Sequence, residues 1–139
     1  MKHENYEILN LIGYGLSKFN GEFIKQFGFK TKTEFFNYFV EIGIVEKGSV
    51  VKKRMDLFDP FVDNGRKGWW QKGDAYIHRK NLIDSLFGNE NIKSYADIVK
   101  LYLKENYKIK DILVEVNPIV KSRFKYKKLD WKRKYILWI

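Results

Sequence analysis

The order of patterns along the chain predicts an α+β fold, with N-terminal and central helices packed on a small C-terminal antiparallel sheet. Three observations carry that prediction. Apolar residues recur at helical spacing early on, as at Ile8, Leu9, Leu11, Ile12 and Leu16. Two later stretches open on helix-capping residues, Asp74 and Ser94. The final part is β-branched, and then places cations at alternate positions.

The chain has 139 residues, 45% of them hydrophobic and 17% aromatic, with only two prolines. That composition suits one packed domain over 1–139 and argues against disorder. Within it we expect a helical part over 1–48, a basic aromatic loop over 54–73, helices over 74–106 and C-terminal strands over 111–139.

The first helix is read over 5–18, although Gly13 and Gly15 weaken it. A short helix over 21–27 ends at Gly28. Thr31 followed by Glu34 signals the start of a helix over 31–43, and Gly43 its stop. In "GIVEKGSVVKKR", apolar pairs lie on either side of Lys47-Gly48, which predicts a small hairpin. Two helices followed by a hairpin imitate a winged helix-turn-helix. The rings at Phe35, Phe36, Tyr38 and Phe39 surround that second helix, however, and leave only Lys32, Thr33, Asn37 and Glu41 for reading bases.

"DLFDPFVDNGRKGWWQKG" is the long loop. Asp74 caps a helix to Phe87, closed by Gly88, and Ser94 with Asp97 forms a capping pattern for a helix to Asn106. "ILVEVNPIV" reads as a strand through Val116, with Pro118 at a turn or edge. The alternating segment after it pairs with "RKYILWI" in an antiparallel hairpin.

The formal charge of +10 is unevenly placed. Residues 1–48 carry six basic and six acidic side chains, and residues 74–117 carry seven of each. Residues 49–73 hold six basic against three acidic, and residues 118–139 hold eight basic against Asp130 alone. Such concentration suggests a polyanionic partner. On a strand, Lys121, Arg123, Lys125 and Lys127 would share one face at intervals of about 6.6–6.8 Å. Lys128, Lys132, Arg133 and Lys134 extend the cationic surface. Lysine outnumbers arginine there, which favours tracking phosphates over reading bases.

A second candidate is "NGRKGWWQKGD", where Arg66, Lys67 and Lys72 flank Trp69 and Trp70. Cations beside rings suit stacking on bases or wedging into a groove. Two adjacent tryptophans also suit plugging a core edge.

Asp56, Asp59 and Asp63 match no calcium-loop spacing and read as turn and cap residues. Asp111 and Glu115 lack the lysine a nuclease strand would carry, because Asn117 stands in its place. His78 follows Asp74 by one helical turn, and His3 lies near the N-terminus. No phosphate-binding glycine loop or nucleophile elbow is present. The sequence therefore predicts no catalytic residues, no metal and no cofactor.

The expectation is a nucleic-acid-binding module that contacts phosphates through the C-terminal basic hairpin and the tryptophan loop, duplex DNA being favoured over RNA. The alternative is a protein-interaction module or small inhibitor docking on an acidic groove of a larger partner. A recognition domain of a metal-dependent nuclease, or such a nuclease itself, is the third reading. With no cysteine, no signal-peptide pattern and no apolar run of membrane-spanning length, a cytoplasmic protein without membrane contact is expected.

Overall fold

The computed structural model describes residues 3–59 and 75–107. In order, these form α1 (His3–Phe19), α2 (Gly21–Lys25), α3 (Lys32–Glu41), α4 (Gly48–Phe58), α5 (Ala75–Phe87) and α6 (Ile92–Tyr107). The α+β expectation is thereby overturned: the described residues hold six helices and no strand, so the described part of the protein is helical. The strands expected over 111–139 lie outside the described residues.

Helix α1 is the hub. Ile8, Leu9, Leu11, Ile12, Tyr14 and Leu16 are all buried, and the helix touches α2, α4, α5 and α6. A helix apolar around its circumference must be covered on several sides. Its two glycines, which weaken a helix in isolation, sit where neighbours come closest. A Cβ on Gly13 would lie 2.7 Å from Arg54 Cγ and 3.0 Å from the Arg54 carbonyl oxygen, and one on Gly15 would lie 2.6 Å from the Phe23 ring. Helix propensity yields here to close approach.

The hairpin predicted in "GIVEKGSVVKKR" is not formed, because its second half, from Gly48, is the start of α4. Val50 and Val51 belong to a helical period that Met55, Leu57 and Phe58 complete, so Val51, Met55 and Phe58 share a buried face. The apparent Lys47-Gly48 turn is the entry to this helix. Residues 54–58 of the loop expected over 54–73 belong instead to this helix, and residues 60–73 lie outside the described residues.

Elsewhere the local signals hold. Thr31 Oγ1 accepts the Glu34 N–H at 3.2 Å and donates to Glu34 Oε1 at 3.0 Å, fixing the start of α3. At its end Gly43 adopts φ 83°, with Gly43 N–H donating to the Val40 carbonyl and Ile44 N–H to the Phe39 carbonyl, both at 3.0 Å. This is a Schellman closure, and only a residue tolerant of positive φ can make it. Helix α6 starts two residues before the predicted Ser94, because Asn91 Oδ1 accepts the Ser94 N–H at 2.8 Å and acts as the cap. His3, near the N-terminus, begins α1.

Aromatic rings bind the helices together. Tyr95 of α6 lies 5.5–6.4 Å from the ring centroids of Tyr14, Phe19, Phe23 and Phe87. Phe35 of α3 contacts Phe23, Phe27, Phe29 and Phe39, mostly edge to face. Such pairs add stability beyond the area they bury. Among the described residues no helix is long and apolar enough to cross a membrane.

Candidate functional site

The residues singled out as a phosphate-contacting surface are Lys121, Arg123, Lys125, Lys127, Lys128, Lys132, Arg133, Lys134, Arg66, Lys67, Trp69, Trp70 and Lys72. All lie outside the described residues. The helical body does establish the frame that carries them: α4 and α5 pack against each other and against α1 on either side of residues 60–74, and α6 leads into residues 108–139.

The electrostatics of that frame set the site apart. Residues 3–59 and 75–107 together hold 13 basic and 12 acidic side chains, whereas the rest of the chain holds 14 basic and five acidic. The body therefore contributes +1 and the remainder +9 of the +10 total. Within the body, cations meet acids one turn away: Lys25 with Glu22 at 2.9 Å, Lys52 with Asp56 at 3.2 Å, Lys80 with Asp84 at 2.7 Å and Lys93 with Asp97 at 2.9 Å. Lys100 is different again. Its ammonium lies 5.3 Å from the Phe27 ring centroid, and burial lowers its pKa although Asp97 opposes the shift.

Two polar nodes between helices, the first buried and the second half-buried, were not singled out from the sequence. The first joins α1 to α4. Arg54, the last residue of the "KKR" run, is 4% exposed, and its Nη1 donates to Asn10 Oδ1 at 2.6 Å. Lys52 and Lys53 beside it are exposed. One of the six cations counted in residues 49–73 is thus part of the core and closed to any partner. Further along the same seam, Ser17 Oγ donates to Asp59 Oδ1 at 2.7 Å, with both residues buried. The only available signal was the spacing of Asn10, Gly13 and Ser17, small or polar residues on one stripe of an otherwise apolar helix.

The second node joins α1 to α5. Tyr14 donates its hydroxyl proton to Asp84, which Lys80 also contacts. Lys18 Nζ donates to the Tyr14 oxygen at 3.3 Å and to the Gly88 carbonyl at 3.0 Å, so a cation neutralises the C-terminal end of α5. Burial, aided by the Asp84 carboxylate, pushes the Tyr14 pKa far above its ordinary value. Tyr95 is raised for the same leading reason, and its hydroxyl donates to the Leu11 carbonyl at 2.6 Å. Phenols held this firmly protonated are structural donors and are unsuited to proton transfer near neutral pH.

Neither the nuclease nor the DNA-binding reading finds support among the described residues. Asp59 is buried against Ser17 and Asp56 faces Lys52, while Asp63, Asp111 and Glu115 lie outside the described residues. No group of three or more His, Asp or Glu side chains among the described residues could hold a metal ion. His78 is exposed on α5, and the Asp74 proposed beside it is not among the described residues. The outer positions of α3 are Thr33, Glu34, Asn37 and Glu41, with Lys32 half-exposed, a face with no positive excess for a DNA groove. The predicted wing after α3 is helix α4. Comparison with protein-family models, curated proteins and solved structures finds no match.

Proposed function

We propose that this chain binds nucleic acid through the phosphate backbone, using the cationic residues of 118–139 with those of 64–72 while the helical body serves as a neutral carrier. The observation behind it is the charge segregation: a body close to neutrality, and nearly all of the excess in the segments outside it. A surplus serving solubility alone would spread over the helices, where cations are instead paired with acids one turn away. Lys121, Arg123, Lys125, Lys127, Lys132 and Arg133 neutralise phosphates in this reading, and Trp69 and Trp70 supply base contact. A duplex is favoured only if 121–127 forms a strand, and those residues lie outside the described ones; the phosphate chemistry is common to DNA and RNA. The absence of cysteine agrees with work in the cytoplasm.

The test is a titration of the full chain against random-sequence DNA and RNA across a range of salt concentrations. Affinity should fall linearly on a log–log plot, and replacing Lys125 and Lys127 by Glu should flatten that slope by about 2, near one unit per lost phosphate contact. Unchanged affinity in a folded double variant overturns the proposal. Binding to neither DNA nor RNA would move the basic surface to a protein partner.

A further inference from the structure

The corner between α1 and α2 holds an Asn–Gly pair in an unusual conformation. Asn20 has φ 57° and ψ −137°, and is the only non-glycine residue with positive φ among those described. The first central position of a type II′ turn has φ about +60° and ψ about −120°, the mirror image of type II. Asn20 sits close to that geometry, and Gly21 follows it as the first residue of α2. The backbone is held there from both sides: Asn20 N–H donates to the Leu16 carbonyl at 3.0 Å, closing α1, and Phe23 N–H donates to the Asn20 carbonyl at 3.1 Å, opening α2. Phe19 and Phe23, whose rings lie 6.5 Å apart, anchor the two flanks in the aromatic core.

We infer that Asn20–Gly21 is a site of spontaneous succinimide formation that the fold promotes. The reaction closes a five-membered ring through the Gly21 nitrogen and the Asn20 carbonyl carbon, Cα, Cβ and Cγ. Closure requires the nitrogen to lie nearly eclipsed with Cβ about the Cα–C bond, which for an L residue means ψ near −120°, as in the type II′ turn. Helical and strand residues, at ψ of about −42° and +135°, hold the two groups apart, which is why regular structure ordinarily protects asparagine. At ψ −137° the rotation is already made.

Two features of Gly21 help. Being first in its helix, it has no acceptor for its N–H within α2. A Cβ at this position would have nothing within 4 Å, and as a glycine the residue places no side chain beside the attacking nitrogen. Base removes the Gly21 amide proton, the nitrogen forms a bond to Asn20 Cγ, and the side-chain nitrogen leaves as ammonia after taking up a proton from water. Water then opens the ring at either carbonyl, giving aspartate or isoaspartate.

The product alters the corner. Aspartate places a carboxylate before α2. Isoaspartate inserts a methylene into the main chain between Asn20 and Phe23, and so shifts the Phe23 ring that lies beneath Gly15. The chain thereby carries an internal ageing point at a junction of its core.

The experiment incubates the full chain in mildly alkaline buffer, folded and in guanidinium, and follows position 20 by peptide mapping with isoaspartate detection. The Asn64–Gly65 pair of the same chain reports the intrinsic reactivity of the dipeptide in guanidinium. Conversion at Asn20 should be several-fold faster in the folded protein than in the unfolded one, and Gly21→Ala, for which there is room, should slow it several-fold while preserving the fold. A folded rate equal to or below the unfolded rate overturns the inference. So does a folded Gly21→Ala variant that converts as fast as the parent.

Discussion

Replacing Gly13 by Ala sets two effects of known size against each other at one atom. An alanine in a helix interior is favoured over glycine by about 1 kcal/mol. Against this, the added Cβ would meet Arg54 Cγ at 2.7 Å and the Arg54 carbonyl oxygen and carbon at 3.0 and 3.1 Å. The Arg54 side chain cannot swing aside, since it is buried with its guanidinium bonded to Asn10. Two of the three contacts are backbone, so α4 itself must move away from α1. Overpacking of this kind costs about 1–3 kcal/mol, and the backbone contacts place it in the upper half of that range. The net expectation is a loss of about 1–2 kcal/mol. In urea unfolding, with a slope of about 2 kcal/mol per molar, the midpoint should fall by about 0.5–1 M. Gly21→Ala is the matched control: nothing lies within 4 Å of its Cβ, and it should gain up to about 1 kcal/mol by restricting the unfolded chain. A Gly13→Ala midpoint at or above the parent's would refute the argument that close approach, and not backbone freedom, selects glycine there.

Other outcomes follow from the polar nodes between helices. Asn10→Ala leaves the buried Arg54 guanidinium short of an acceptor and should cost about 1–3 kcal/mol, visible as a lowered urea midpoint; an unchanged midpoint would mean that the 2.6 Å bond contributes nothing net. The raised pKa values of Tyr14 and Tyr95 have a definite sign. Because folding holds these phenols protonated, their contribution is complete below the unfolded value of about 10 and declines above it, by up to about 1.4 kcal/mol per pH unit for each. Stability measured from neutral to strongly alkaline pH should fall from that point, and Tyr14→Phe or Tyr95→Phe should each flatten the fall. Equal slopes in parent and variants would contradict the assignment.

Much of the helical body was legible locally. Thr31 with Glu34 marked the start of α3, Gly43 with its positive φ the end, and Gly88 the residue after α5, because such signals are decided by a few adjacent residues. The hairpin expected in "GIVEKGSVVKKR" failed for a reason of range. Two valines beside a Lys-Gly pair look like strand and turn until Met55, Leu57 and Phe58 are included, and then the period is that of a helix. Asn91 took the cap expected at Ser94 because two competing cap residues stood three apart, and local propensity could not choose between them.

The sequence by itself determined where the charge lies, that the core is rich in rings, and where most helices begin and stop, since these depend on composition and on neighbours within one turn. Tertiary structure decided the rest. It turned Arg54 from a member of a basic run into a buried partner of Asn10, explained Gly13 and Gly15 by what packs on them, and fixed Asn20 at a backbone angle that no sequence pattern specifies. The Arg54 and Gly13 contacts join residues far apart in the chain, and the Asn20 angle is set where two helices meet; there packing, not propensity, sets the free energy.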